Sequence, residues 1–297
     1  MGFYALFDIG GTEIKYGAAD ENGCFVKKGS VKNPVREEGI DSMLELLEER
    51  LGEIKKEFPV NGIGVSTAGV VDTEKGVIEF ASDNIPGYTG TKLRDFFEKL
   101  AGVPCTVEND VNCAGLGEAW LGAGKKASPL VCITLGTGVG GCVIINGKLI
   151  HGTSNFAGEV GYIPLAGGTL EELASTSALV RRVALKKSLD VCDVDGKKVF
   201  EWAQKGDSIC LEAIDSMLDY LAQGIWTISC IVNPEAVVIG GGIAAQKKFL
   251  EPMLKKKLSN VMISNVFETT RISFADLGND AGMLGALHCI LELESVK

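Results

Sequence analysis

At 297 residues the chain exceeds the usual size of a single domain, so two domains are expected. Its 46% hydrophobic, 7% aromatic and 23% charged residues are ordinary for a globular α/β protein. With 29 Lys and Arg against 39 Asp and Glu the formal net charge is −10, and no basic run offsets it, which argues against non-specific nucleic-acid binding.

The 9 cysteines are scattered, without a C-x-x-C pair and often inside apolar runs, which fits reduced, buried thiols in a cytoplasmic protein. The N-terminus opens directly on a strand-like run, which leaves no place for a signal peptide, and no apolar segment is long enough to cross a membrane uninterrupted.

In chain order, Phe3 to Gly17 reads as an apolar strand carrying Asp8, a turn at Gly10-Gly11-Thr12, and a second strand from Ile14. A tight turn at Asp20–Gly23 leads into a strand over Cys24–Lys32. Gly39 to Phe58 has the helical period, with Met43, Leu46, Leu47, Leu51 and Ile54 on one stripe. The strand Val60–Val65 ends in a small-residue loop, Ser66–Asp72, at the end of a strand where open α/β sheets place ligands. Phe80–Tyr88, which contains Asn84, reads as an irregular loop whose amides and hydroxyls could line a polar pocket, although taken alone its composition is better explained as a plain turn. After a short helix at Leu93–Ala101, a strand over Val103–Val107 delivers Asn109 and Asp110 to a helix at Cys113–Leu121. Asn and Asp are favoured N-caps, and capping is compatible with aiming a carboxylate at a cleft.

The second half repeats the opening. Val131–Leu135, the run Gly136-Thr137-Gly138-Val139-Gly140-Gly141, Cys142–Ile145 and Asn146-Gly147 have the signature of a hairpin rather than of a strand feeding a helix. Residues without Cβ atoms let amides converge on an anion, so a phosphate cradle and a plain tight turn are both open. The echo at Phe3–Gly17 favours the cradle: two such hairpins suggest homologous halves, each offering a turn to one polyphosphate, with Asp8 suited to hold Mg²⁺ through water. Downstream, Glu159 lies framed by Gly158 and Gly161 in a polar loop that begins at His151, and Glu171 stands in the first turn of a helix opened by Leu170. Helical patterns cover Ser175–Leu189 and Lys198–Val232, the latter divided near Gly206. A strand over Pro234–Ile239 runs into Gly240-Gly241-Gly242, which suits close backbone approach to an adenine or its ribose. A helix at Phe249–Leu258, a strand at Arg271–Phe274 and a final helix at Met283–Leu293, packed back on the first domain, complete the chain.

The segments DIGGTEIKYG (8–17), END (108–110), LGTGVGG (135–141), AGEVG (157–161), LEELAS (170–175), IGGGI (239–243) and DAGMLGA (280–286), in this joint order, resemble the ROK family of sugar kinases over nearly the whole chain. The resemblance implies an α/β, duplicated actin-like (ribonuclease H-like) ATPase fold with two domains around a cleft: 1–117 plus 280–297, and a larger 118–279. It implies ATP-dependent phosphorylation of a hexose or derivative, such as glucose or N-acetylmannosamine, at the 6-hydroxyl. Asp110 is then the general base, with Asn109, Glu159 and Glu171 as sugar ligands and Ser66, Thr67, Gly69 and Asn84 completing the sugar side. Gly10, Gly11, Thr12, Lys15, Gly136, Thr137, Gly138 and Gly140 take the phosphates, Gly240, Gly241 and Gly242 the adenosine, and Asp8 the Mg²⁺. A homodimer is the family's usual assembly.

Two departures matter. Family members commonly hold a structural Zn²⁺ through a histidine and three cysteines. Here Tyr162 stands at the histidine position, which also touches the sugar, and Ile163–Glu172 contains no cysteine, so no zinc is expected. The repressor members carry a DNA-binding domain ahead of the first hairpin, where this chain has 7 residues before Asp8. A catalytically idle sugar sensor is the alternative, but it would be free to lose Asp110. Actin-like or chaperone ATPases lack the END and Gly-Glu-x-Gly carboxylates.

Overall fold

A computed structural model describes residues 2–81 and 85–295, apart from the side chain of Phe267; Asn84 lies outside the described residues. The chain divides into two compact units, Met1–Leu121 with His151–Phe156 and Asn279–Lys297, and Gly122–Ile150 with Ala157–Gly278.

The first unit is built on β1 (Phe3–Ile9), β2 (Glu13–Asp20), β3 (Phe25–Lys32), the short α1 (Val35–Glu38), α2 (Ile40–Glu57), β4 (Val60–Thr67), β5 (Val70–Asp72), β6 (Val77–Phe80), α3 (Leu93–Ala101), β7 (Cys105–Asn109) and α4 (Asp110–Trp120). Its main sheet has the order β3-β2-β1-β4-β7, with β1 antiparallel to β2 and parallel to β4. Central β1 is buried on both faces, and its period-2 alternation sorts side chains between two cores. Ala5, Phe7 and Ile9 join Met43, Leu47, Leu51 and Ile54 of α2 and Phe97 of α3, whereas Tyr4 and Leu6 face the other core. Edge strand β3 alternates half-buried and exposed residues, as an edge with one wetted face should.

The second unit runs through β8 (Leu130–Leu135), β9 (Val139–Ile145), β10 (Lys148–Leu149), the small hairpin β11 (Pro164–Leu165) and β12 (Gly168–Thr169), α5 (Leu170–Ala174), α6 (Thr176–Lys187), α7 (Gly196–Gln204), α8 (Ser208–Val232), β13 (Ala236–Gly240), α9 (Lys247–Val261), α10 (Ser264–Thr269) and β14 (Arg271–Phe274). The order is β10-β9-β8-β13-β14, with β8 antiparallel to β9 and parallel to β13. Strand for strand, this repeats the order and sense of the first sheet, so the duplication read from the glycine turns extends to both halves. The chain ends in α11 (Ala281–Ser295), which returns to the first unit and supplies Met283, Leu287 and Ile290 to the core of Tyr4 and Leu6.

Three local expectations are corrected. Ser66 and Thr67 belong to β4 rather than to a loop, and Val70–Asp72 pairs with Val77–Phe80 as a hairpin; small residues suggested a loop, but Ser66 and Thr67 are buried ladder residues. The helix expected from Cys113 starts at Asp110, because Asn109 caps it. The helix expected over Phe249–Leu258 runs Lys247–Val261 and follows a 3₁₀ turn opened by Gly242. Among the described residues no helix is long and apolar enough to cross a membrane, and all 9 cysteines are free thiols.

Candidate active site

Strand register assembles the first cluster. Lys15 on β2, Asp8 on β1, Ser66 on β4 and Glu108 on β7 are successive partners across four strands, and residues of one rung share a face of the sheet. Ser66 Oγ donates to Asp8 Oδ1 at 2.7 Å and Lys15 Nζ to Oδ2 at 2.9 Å, so the Asp8 carboxylate is both fixed and charge-paired. Gly282 of α11 lies directly against it, since a Cβ there would stand 3.0 Å from Asp8 Oδ1. The neighbouring turn closes through Gly10 N–H to Glu13 O at 3.0 Å, leaving Thr12 exposed. Asn33, 3% exposed, pins that turn from behind, donating Nδ2 to Gly10 O at 2.8 Å and its backbone N–H to Thr12 O at 2.8 Å.

Asp110 is the first residue of α4. Asn109 Oδ1 caps the helix by accepting from Val111 N at 2.9 Å and Asn112 N at 3.2 Å, while Asn109 Nδ2 donates to Gly69 O at 2.9 Å and Asp110 Oδ1 at 3.1 Å. Both amide hydrogens of Asn109 are therefore committed, and a sugar hydroxyl can engage it only by replacing one of these bonds. Burial, and then the charge of Asp8, raise the Asp110 carboxyl from 3.8 to about 6, against the opposing pull of the Val111 amide. Glu108, 5% exposed, accepts from Asn109 N at 2.7 Å and Asn112 Nδ2 at 2.8 Å through one oxygen. Its other oxygen meets His151 Nε2 at 2.8 Å, a bond that raises the imidazole above its ordinary value. Beside this turn, the hydroxyls of Thr67 and the fully buried Tyr88 are 2.6 Å apart. Asn33, Tyr88 and His151 carry no motif that reveals them; they are assigned by the partners the fold gives them.

In the second unit the β8–β9 turn closes through Gly136 N–H to Gly138 O at 3.0 Å, and Thr176 N–H donates to Gly136 O at 2.9 Å. Val139 N–H donates to Glu171 Oε2 at 2.9 Å. The Gly-Glu-x-Gly segment lies so close to this hairpin that only glycine fits. A Cβ on Gly161 would stand 2.2 Å from Val139 O, and one on Gly158, whose φ is +93°, would stand 2.7 Å from Gly141 O. Burial, and then the charge of Glu171, raise the Glu159 carboxyl above its ordinary value. Tyr162 is 66% exposed.

A cavity of about 770 Å³ opens beside this hairpin, with predominantly apolar walls. Gly136, Thr137 and Gly242 line it, as do Thr176, Arg181, Lys197, Phe200 and Gln246, which the sequence did not single out. Gly240 and Gly241 are not among its lining residues: Gly240 ends β13, and a Cβ on Gly241 would stand 2.4 Å from Leu135 O. Helices α6 and α7, capped by Ser175 and Asp195, start at this wall, and the directed amides of such helix starts together with an apolar floor fit a nucleoside carrying phosphates.

No group of three or more His, Cys, Asp or Glu side chains among the described residues is placed to hold a metal ion. The segment after Tyr162 is held by its own hydrogen bonds. It folds as the β11–β12 hairpin, Leu170 N–H bonds Ile163 O at 2.9 Å, and Thr169 and Glu172 form a reciprocal capping box.

The sequence model of the ROK family matches residues 4–292. The chain belongs to the ROK family. Its relatives include a glucokinase of Halalkalibacterium halodurans, 33% identical over 95% of this chain and 93% of that protein, and a beta-glucoside kinase of Listeria innocua, 31% identical over 98% of each. Among solved structures, a ROK family glucokinase from Streptomyces griseus in complex with glucose and AMPPNP matches with a TM-score of 0.82 at 28% identity, over 97% of this chain and 99% of that one. The twin sheets are thus those of the duplicated actin-like ATPase fold, and the function class the relatives support is a carbohydrate kinase.

Proposed function

We propose that this ROK family member transfers the γ-phosphoryl group of ATP to a hexose or hexose derivative, glucose, N-acetylmannosamine or a related sugar, at the 6-hydroxyl. The supporting observation is Asp110, a carboxylate fixed at a helix start by Asn109 and Val111, whose affinity for protons is raised to about 6, the range useful to a base near neutral pH. As the hydroxyl oxygen forms its bond to the γ-phosphorus and the bond to the leaving ADP breaks, the hydroxyl proton passes to Asp110. Phosphoryl transfer asks the protein mainly for positioning and charge neutralisation. Asp8 would hold Mg²⁺ through water, and the ion, when bound, would help to neutralise the phosphates.

In this reading Gly10, Gly11, Thr12 and Lys15 in one unit and Gly136, Thr137, Gly138 and Gly140 in the other serve the phosphates. The cavity beside Gly242 takes the nucleoside. Ser66, Thr67, Gly69, Asn109, Glu159, Tyr162 and Glu171 serve the sugar. In the same reading the protein carries no zinc and acts as a homodimer, which light scattering would test.

Sugar-dependent ADP release, assayed over hexoses, N-acetylhexosamines and β-glucosides, tests the proposal, and its absence from folded protein would overturn it. The Asp110→Asn variant is expected to keep sugar binding and lose turnover by about 10²–10⁴-fold; unchanged turnover removes the assignment of the base. Sugar binding without turnover in the wild type would instead favour the idle sensor. Metal analysis of the purified protein is expected to find no stoichiometric zinc, and a value near one per chain would refute that expectation.

A further inference from the structure

Glu171 stands in an unusual place for a residue assigned to the acceptor. Its Oε2 accepts the Val139 N–H at 2.9 Å, at the point where the glycine-rich turn re-enters β9. The contact is intimate, for a Cβ added to Gly138 would lie 2.3 Å from that same oxygen. The other end of the turn is held by the Thr176 N–H bond to Gly136 O at 2.9 Å, so α5 and α6 grip the turn from both sides. Gly161, two residues beyond Glu159, packs against the Val139 carbonyl and lies 3.5 Å, through its would-be Cβ, from Glu171 Cβ. The two sugar-side carboxylates and the phosphate-side turn are therefore parts of one packed cluster within the second unit.

We propose that Glu171 is a positioning residue for the donor hairpin: its Oε2 braces the Val139 amide, its second oxygen serves an acceptor hydroxyl, and the two subsites are coupled through one carboxylate. This rests on the reading of residues 136–140 as the donor turn. An anion at the back of a phosphate-binding turn opposes the phosphates unless a hydroxyl donates to it and spreads its charge. Acceptor binding therefore strengthens donor binding, and by linkage donor binding strengthens acceptor binding by the same factor. The kinase thereby has a means of disfavouring ATP when no sugar is present to receive the phosphoryl group, which limits wasteful hydrolysis.

The test separates the brace from the sugar contact. In Glu171→Gln the side-chain amide keeps an oxygen able to accept from Val139, whereas Glu171→Ala loses it. Binding of Mg²⁺–AMPPNP without sugar, measured by calorimetry, is expected to weaken about tenfold in Glu171→Ala, at the scale of one lost hydrogen bond to a charged group, and to be at least as tight as wild type in Glu171→Gln, which keeps the accepting oxygen and removes the charge that opposes the phosphates. Both substitutions should raise the sugar KM. Gly138→Ala, which pushes the carboxylate off the turn from the other side, should raise the sugar KM as well. Amide exchange over 136–141 should quicken in Glu171→Ala and not in Glu171→Gln. Wild-type affinity for AMPPNP in Glu171→Ala overturns the proposal, and so does equal weakening in Glu171→Gln. Failure of the wild type to bind AMPPNP sinks the donor-site reading and the proposal with it, which distinguishes the two failures.

Discussion

A carboxyl that ionises only near pH 6 is, at neutral pH, an anion kept where its surroundings disfavour it, and for Asp110 burial and the Asp8 charge are the causes. Because the folded value, about 6, lies above the ordinary 3.8, the native state binds the extra proton between them. Stability conferred at low pH is then lost as pH rises from about 4 to about 6, and the full difference corresponds to about 3 kcal/mol. Asp110→Asn cannot ionise, so its melting temperature should exceed that of the wild type at pH 7 and the gain should vanish by pH 4. A variant no more stable than wild type at pH 7 refutes the strain. The same ionisation should appear as an acid limb near pH 6 in the kcat/KM profile of the wild type. The place of this residue before a helix was legible in the sequence, but the strain was not, because it comes first from burial and then from Asp8, about a hundred residues away in sequence and brought near only by the fold.

At the level of elements, the terminal DAGMLGA motif was recognisable while its reason was not. The structure supplies that reason: α11 crosses α4 so closely that a Cβ on Gly285 would stand 1.7 Å from Cys113 O, and one on Gly117 would stand 2.5 Å from Ala281 O. The contact is backbone against backbone and has no flexible side chain to yield, so α4, the helix that begins with Asp110, is set by glycine spacing rather than by side-chain fit. Gly285→Ala is expected to cost at least about 1–3 kcal/mol, read as a lower melting temperature. Gly52→Ala in α2, where nothing stands within 4 Å, is the control, expected to gain about 0.5–1 kcal/mol from helix propensity. Equal effects of the two substitutions would show that the close crossing does not govern the packing of α4. The walls of the nucleoside cavity illustrate the opposite limit. Thr176, Lys197 and Gln246 are ordinary residues at three separate helix starts or turns, and only the fold gathers them.

At the scale of the whole molecule, the two glycine hairpins announced the duplication because each carries the same strand, turn and strand in sequence. The sheets then repeat one another in order and sense, β3-β2-β1-β4-β7 against β10-β9-β8-β13-β14. What no pattern announced is that His151–Phe156 groups with the first unit although the chain on either side belongs to the second, since that grouping rests on contacts such as the bond from His151 to Glu108. Duplication of the turns does not by itself mean that both serve the donor, because one copy can persist as architecture alone. Hydrogen exchange distinguishes the cases. With Mg²⁺–AMPPNP at about a hundred times its Kd, ligand linkage contributes up to about 2.7 kcal/mol, enough to slow exchange of protected amides about a hundredfold. If both turns hold phosphates, peptides spanning 9–13 and 135–139 should both slow. Slowing confined to 135–139 would assign the donor to the second unit alone, leaving Gly10-Gly11-Thr12 as a turn whose role is to close β1 onto β2 and to place Asp8.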